Sequence, residues 1–318
     1  MKIVSLFSGA GGLDLGLIRA GNTVVWANDV DLNASDTYRR NVGDHIVCAD
    51  IKDVKMSDIP DEADVVVGGF PCQGFSQANL LREVDDERNS LYLFFKKVVA
   101  AKKPKFFIAE NVKGILSLGH GAAIRKIMAD FEKAGYILDL HLVNMADYGV
   151  PQHRQRVIIV GQRKTLGKSI LFRFPLPTHA KDGKGGLPAW RSIRDELERF
   201  PDPDQPNEIV NHVYSAYKVA YRNFTGHRPT NPDKPCPTIL ARGNGGGGVC
   251  AIPHYNGKRR LTVRESAAIQ TFPDDFKFMG AMNSCYRQIG NAVPVRFAEC
   301  LGREFVRLEK EECNGVAF

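Results

Sequence analysis

The stretch Lys2-Ile3-Val4-Ser5-Leu6-Phe7-Ser8-Gly9-Ala10-Gly11-Gly12-Leu13-Asp14-Leu15-Gly16-Leu17-Ile18-Arg19-Ala20 decides the architecture of this chain. Lys2 to Phe7 is an apolar run that predicts a first buried strand. Ser8 to Gly12 forms a tight glycine turn, and Leu13 to Ala20 follows as a helix that Gly21 can close in the left-handed conformation. Strand, glycine turn and helix in that order open a nucleotide-binding βαβ unit. The spacing departs from the dinucleotide pattern GxGxxG, because Asp14 stands in the last glycine's place, and this weakens the dinucleotide reading.

Working outward, Thr23 to Ala27 predicts a second strand that runs into Asn28-Asp29, and Ile46 to Ala49 a third that ends at Asp50-Ile51. Carboxylates at successive strand ends suit the ribose and base of an adenosine moiety, although each also reads as a helix N-cap. Val65-Val66-Val67 is β-branched and free of charge, which predicts a buried parallel strand ended by Gly68-Gly69. The hexapeptide Pro71-Cys72-Gln73-Gly74-Phe75-Ser76 therefore sits just past a strand's carboxyl end, where open α/β sheets place their chemistry. Cys72 there reads as a nucleophile; the alternative is a small buried hydrophobe, which the polar neighbours argue against. A polar stretch from Gln77 to Asn89 suggests a lid beside it. A helix over Leu91 to Val99, a strand over Phe106 to Ala109 ending at Glu110-Asn111-Val112, and an amphipathic helix over Gly121 to Ala134 follow. The strands Ile137 to Val143 and Val157 to Gln162 flank a short link and predict an antiparallel hairpin at the sheet's edge.

The 318 residues are 43% hydrophobic, enough for a full core. Seven cysteines at irregular spacing give no CxxC pair and no zinc pattern, so a reducing compartment and no metal are expected. No apolar run approaches membrane-spanning length and the first residues lack a signal-peptide pattern, so a cytoplasmic protein without membrane attachment is expected. The net charge of +7 is uneven. Between Arg163 and Arg260 stand 17 Lys and Arg against 8 Asp and Glu, so the remainder of the chain is slightly acidic. A basic segment on a near-neutral body fits a polyanion-binding module; a solvated basic surface is the plainer alternative. Proline and glycine are frequent in the same segment, which predicts a second, irregular domain. Thr262 and Glu265 then form a capping-box signature, and Arg296 to about Glu311 reads as an amphipathic helix.

Phe7-Ser8-Gly9-Ala10-Gly11-Gly12, Pro71-Cys72-Gln73, Glu110-Asn111-Val112, Gln152-x-Arg154-x-Arg156, Arg264-Glu265 and Gly290-Asn291-Ala292-Val293-Pro294 together resemble the DNA cytosine-5 methyltransferases of bacterial restriction–modification systems. The motifs stand in that family's order and span nearly the whole chain. The resemblance implies a Rossmann-like α/β methyltransferase sheet, mostly parallel with an antiparallel edge hairpin, in a catalytic domain of residues 1–175 and 288–318. It implies a smaller, irregular target-recognition domain at 176–287. It also implies S-adenosylmethionine as methyl donor, double-stranded DNA as substrate, a target cytosine swung out of the duplex, and a cognate restriction endonuclease acting on the same site.

Position by position, the resemblance assigns Phe7, Gly9, Ala10, Gly11 and Gly12 to the cofactor's lining, Asp29 to its ribose, and Asp50 with Ile51 to its adenine. Leu91, Asn291 and Val293 complete that pocket. The family often has Glu where this chain has Asp29. Cys72 supplies the thiolate that adds to carbon 6 of cytosine, and Glu110 handles the proton at ring nitrogen 3. Arg154 and Arg156 fix the ring carbonyl and a nearby phosphate while favouring the thiolate. Gln73, Ser76 and Arg242 are assigned to DNA; Arg242 opens a run, Gly243 to Gly248, in which an arginine able to read guanine joins a backbone able to approach DNA closely.

Other readings are available. A cysteine hydrolase pairing Cys72 with His153 leaves the acidic strand ends unexplained and shows no oxyanion-hole feature. A tRNA cytosine-5 methyltransferase keeps the same chemistry, but the ample basic segment favours DNA. A catalytically inactive DNA-binding module would not need both Cys72 and Glu110.

Overall fold

The computed structural model describes residues 1–70, 90–167, 171–216, 219, 230–241 and 252–315. Cys72, Gln73, Ser76 and Arg242 lie outside the described residues, as does the expected lid. Among the described residues seven strands form one sheet: β1 (Lys2–Leu6), β2 (Thr23–Asp29), β3 (Ile46–Cys48), β4 (Val65–Gly68), β5 (Phe106–Val112), β6 (Tyr136–Asn144) and β7 (Gln155–Arg163). Across the sheet they run β3-β2-β1-β4-β5-β7-β6. β1 to β5 pair in parallel, while β7 runs antiparallel to both β5 and β6, so the expected edge hairpin is present.

The helices are α1 (Gly12–Arg19), α2 (Leu32–Asn41), α3 (Ser90–Lys102), α4 (Ala122–Lys133), α5 (Arg194–Leu197), α6 (Val263–Ile269), α7 (Met282–Asn291) and α8 (Val295–Gly315). Local chemistry sets several of their ends. Gly11 caps the start of α1 at φ 87, a conformation a side chain would resist. Gly21 follows the helix at φ 104 and donates its N–H to Ile18 O at 2.9 Å. The capping box forms as predicted: Thr262 Oγ1 accepts from Glu265 N at 2.9 Å, and Glu265 Oε2 accepts from Thr262 N at 2.7 Å.

Strand periodicity divides the core between two faces of the sheet. Ile3, Val65, Val67, Phe106 and Ile108 face one side and pack with Leu17 of α1 and Phe297, Leu301 and Phe305 of α8. Val4, Leu6, Val66, Phe107 and Ala109 face the other and pack with Phe95 of α3 and Ile127 and Phe131 of α4. A third cluster gathers Leu197, Ile239, Leu261, Phe272, Phe276, Tyr286 and Ile289 with Ala10.

The chain beyond β7 is held differently. Arg264, with no exposed surface, donates to the carbonyls of Val210 at 3.0 Å, Pro273 at 2.7 Å and Phe276. Asn211 exchanges two bonds with Phe278, at 3.2 and 2.8 Å.

One expected boundary is corrected. Glu110-Asn111-Val112 is not the turn after a strand: β5 continues through all three, opposite Ile158, Val157 and Arg156 of β7. The antiparallel neighbour supplies ladder partners beyond the point where β4 stops at Gly68.

Candidate catalytic site

The chain lays β2 and β3 to one side of β1 and β4 and β5 to the other, so the strand order reverses between β1 and β4. Above the carboxyl ends at this switch point lies a cleft of about 610 Å³. Phe7 leaves β1 at φ 56, a left-handed conformation uncommon outside glycine, and turns the chain into the glycine loop. Gly9 N donates to Asp29 Oδ2 at 2.7 Å, and Asp31 N to Asp29 Oδ1 at 2.9 Å. Burial raises the Asp29 pKa, and those two backbone bonds pull it back down. The helix cap is Asp31, which accepts from Ala34 N at 3.2 Å, and this frees Asp29 to face the cleft.

Asn28 donates to Val47 O and Ala49 O at 3.0 and 2.9 Å, which fixes the turn carrying Asp50 and the buried Ile51. Asp14, below the glycine loop, has no exposed surface. Its carboxyl accepts from Ser5 Oγ at 2.7 Å and from Tyr38 Oη at 2.8 Å, and Tyr38 Oη lies 2.9 Å from His45 Nε2. Burial pushes the Asp14 pKa up to about 6 against the pull of those two bonds.

The other end of the cleft belongs to β4 and β5. Glu110 Oε1 lies 2.7 Å from Arg156 Nε as an ion pair, yet it is a buried atom without a hydrogen-bond partner among the described residues. A Cβ on Gly69 would come within 2.9 Å of Glu110 Oε2, so a larger residue there would displace the Glu110 carboxylate. Asn111 Nδ2 donates to Phe70 O at 2.9 Å and so fixes the residue from which the Pro71-Cys72-Gln73 segment departs. Leu91, Asn291 and Val293 line the same cleft, as do Phe7, Gly9, Ala10, Gly12, Asp29, Asp50, Ile51, Arg154 and Arg156. Gly11 is the one expected cofactor residue that does not; its Cβ position faces Tyr38 and Val42.

A family model for C-5 cytosine-specific DNA methylases matches residues 1–307. The chain belongs to that family. The methylase is 41% identical over 316 residues to Type II methyltransferase M.NgoFVII of Neisseria gonorrhoeae, a match covering 92% of this chain and 83% of the relative. It is 36% identical over 339 residues to Type II methyltransferase M.MthTI of Methanothermobacter thermautotrophicus, covering 99% of each. Among solved structures, a DNA modification methyltransferase encoded within an E. coli prophage superposes with a TM-score of 0.78 at 25% identity, over 98% of this chain and 99% of that one. The S. pombe Dnmt2 methyltransferase shares the fold, with a TM-score of 0.70 at 19% identity over the full length of both. The methylase is thus a DNA cytosine-5 methyltransferase of the restriction–modification type. The methyl donor of such enzymes is S-adenosylmethionine.

Within the methylase, Arg154 is placed differently from its expected partner Arg156. Its side chain is buried, and its terminal nitrogens donate to Ile239 O at 3.1 Å and Gly290 O at 3.0 Å, leaving Nε without a partner among the described residues. Burial, helped by the neighbouring Arg156 charge, lowers its pKa to about 9, which leaves it charged at neutral pH. Gln152 is its companion: Oε1 accepts from Ile239 N at 3.0 Å and Nε2 donates to Gln270 Oε1 at 3.0 Å.

Among the cleft-wall residues that sequence reasoning missed are Val30, Ile239 and Leu240. Val30 is 68% exposed although apolar, and its position directly after Asp29 was the available signal. Ile239 and Leu240 lie in the irregular segment, where no periodicity marks them. His153 packs edge-on against Trp190 with ring centroids 4.8 Å apart. Among the described residues no helix is long and apolar enough to cross a membrane, and no group of His, Cys, Asp and Glu could hold a metal ion.

Proposed function

We propose that the methylase transfers a methyl group from S-adenosylmethionine to carbon 5 of a cytosine swung out of a specific duplex DNA site, through a covalent bond from Cys72. We further propose that this protects cytoplasmic host DNA from a restriction endonuclease that cuts the same site. The observation that carries the reading is Glu110, ion-paired to Arg156 and with Oε1 buried and without a hydrogen-bond partner among the described residues, in the cleft whose far end is lined by Asp29 and the glycine loop. A polar ring edge is the kind of group that satisfies such an atom.

The donor set fits S-adenosylmethionine. Asp29 offers a carboxylate to ribose hydroxyls, Asp50 and Ile51 offer an acceptor and an apolar wall to adenine, and Val30 adds exposed apolar surface beside them. Phe7, Gly9, Ala10, Gly12, Leu91, Asn291 and Val293 enclose the remainder; Gly11 contributes by shaping the turn. The cofactor supplies an electrophilic methyl group. The chain's own residues do the rest. The Cys72 thiolate adds to carbon 6, opening the 5,6 double bond and raising electron density at carbon 5. Once carbon 5 carries the methyl group, its proton leaves to solvent and the Cys72–carbon 6 bond breaks, restoring the ring and the thiolate. Glu110 shares a proton with ring nitrogen 3 and relieves the charge that builds there. Arg156 holds the Glu110 carboxylate in place, and Arg154, on the cleft wall, fixes Ile239 and Gly290 with its terminal nitrogens.

Residues 176–287 are proposed as the target-recognition domain, with Arg242 reading bases and Gln73 and Ser76 contacting DNA. The excess of positive charge between Arg163 and Arg260 and the Type II methyltransferase relatives support DNA over tRNA. Duplex DNA carrying 5-fluorocytosine at the target position tests the covalent step, because fluorine cannot leave as a proton does. A stable adduct is expected with the wild type and cofactor and not with Cys72→Ser; an adduct in that variant would overturn the assignment.

A further inference from the structure

The carboxylates of Asp14, Asp29, Asp31 and Asp50 line one end of the cleft, around the glycine loop and the ends of β2 and β3. Among the described residues, only Asp31 of these four has a cationic partner. Arg287 of α7 reaches across to it, with Nη2 2.7 Å from Asp31 Oδ2, and the two side chains are 29% and 28% exposed. Arg287 lines the same cleft, just ahead of Gly290 and Asn291. The wall beneath the pair does not depend on it. Asp31 Oδ1 caps α2 by accepting from Ala34 N at 3.2 Å, while Thr37 Oγ1 donates to Gln288 Oε1 at 2.7 Å and accepts from Met279 N at 2.8 Å. α2 and α7 therefore stay joined when the charges at their common edge are altered.

Charge at this end bears on the one difference between the methyl donor and what it becomes. S-adenosylmethionine carries a sulfonium cation; when the methyl group leaves, sulfur keeps the bonding electron pair, and S-adenosylhomocysteine has a neutral thioether. The two molecules otherwise offer the wall the same groups. Unpaired carboxylates therefore favour the donor, and a fixed cation favours the product. We propose that the Asp31–Arg287 pair is a specificity-determining element of the cleft: Arg287 cancels one carboxylate at the acidic end and so limits how strongly the cleft prefers the cationic donor over its product. The inference rests on the cleft being the S-adenosylmethionine site and adds to that reading the residues that set donor against product.

Calorimetry of the full chain with S-adenosylmethionine and with S-adenosylhomocysteine gives the ratio of the two dissociation constants, product over donor. Measurement at pH 8 keeps Asp14, whose pKa burial pushes up to about 6, in one charge state throughout. Arg287→Gln uncovers the Asp31 charge and should raise the ratio, by about fivefold at low salt. Asp31→Asn keeps a cap on α2 and uncovers the Arg287 charge, so the ratio should fall by a similar factor. Both changes should shrink as salt rises. Arg287→Lys, and the double variant of Asp31→Asn with Arg287→Gln, should each stay within about twofold of the wild type. A wall that merely loosens would move the ratio in the same direction in both single variants, and that result would overturn the proposal. An unchanged ratio in Asp31→Asn would overturn it as well, even where Arg287→Gln fails to fold. A wild type that binds neither compound would count against the cofactor reading of the cleft and the proposal together, whereas binding of both at a ratio indifferent to these charges would remove only the role of the pair.

Discussion

β4 is held by three consecutive valines with no exposed surface and by ladder bonds to β1 and β5, whereas the chain around Val210, Pro273 and Phe276 is tied together by one guanidinium, that of Arg264. The sheet half draws its order from many equivalent contacts, each replaceable at modest cost. The later half has an apolar cluster of its own and adds to it a few buried polar side chains, each committed to several carbonyls far apart in sequence. A lost methyl group in the first leaves a small void; a lost guanidinium in the second leaves several buried acceptors unpaired. The candidate site sits where the two meet, with Glu110 supplied by the sheet and Ile239 and Leu240 by the later segment.

The largest effect is expected at that meeting point. Glu110→Gln keeps shape and removes the acid, so turnover should fall roughly 100-fold to 10,000-fold while cofactor affinity stays near the wild-type value. Steady-state kinetics together with cofactor titration check this, and near-normal turnover would remove the proton-handling role.

The comparison itself is tested by stability. Arg264→Met should cost about 3–5 kcal/mol in denaturant melts, because three carbonyls lose their donor. Val66→Ala in β4 should cost only about 2 kcal/mol. The reverse order would break the contrast between the halves.

Asp14 sharpens it, as a buried polar group placed in the sheet half. An unfolded aspartate titrates near 3.8 and the native one near 6, so between those values the native state holds more protons. Stability should therefore fall as pH rises from about 4 to about 6, by about 3 kcal/mol in all, and then level off. Asp14→Asn does not titrate and can still accept from Ser5 Oγ. The stability difference between wild type and variant should follow that pH curve, and a pH-independent difference would refute it.

The smallest effect is expected from Asp29→Ala. Loss of one carboxylate contact to the cofactor should weaken S-adenosylmethionine binding about tenfold, read by calorimetry. Melting behaviour should change little, since the sheet's ladder bonds remain.

What could be read in the sequence follows the same division. Val65 to Val67, the glycine turn with its cap at Gly21, the helix between Gly121 and Ala134, and the Thr262–Glu265 capping box are local patterns, and each formed where expected. The β6–β7 hairpin was legible too, from two apolar runs and a short link. The extension of β5 through Glu110 was not, because its ladder partners Arg156, Val157 and Ile158 belong to another strand. Arg154 stood out in the Gln152-x-Arg154-x-Arg156 motif, but its anchors lie 85 and 136 residues away, at Ile239 and Gly290, and no local pattern points to them.

Those two anchors also fix a schedule. A ribosome delivers β1 to β7 well before it delivers Gly290, so the nascent sheet can form while Arg154 still lacks one of its acceptors. Asn22 waits longer still, since its side-chain amide donates to Gly302 O at 2.9 Å. The cleft is therefore finished only when Gly290, Asn291 and Val293 fold back over the glycine loop, and until then the nascent chain carries that loop and Glu110 without their wall.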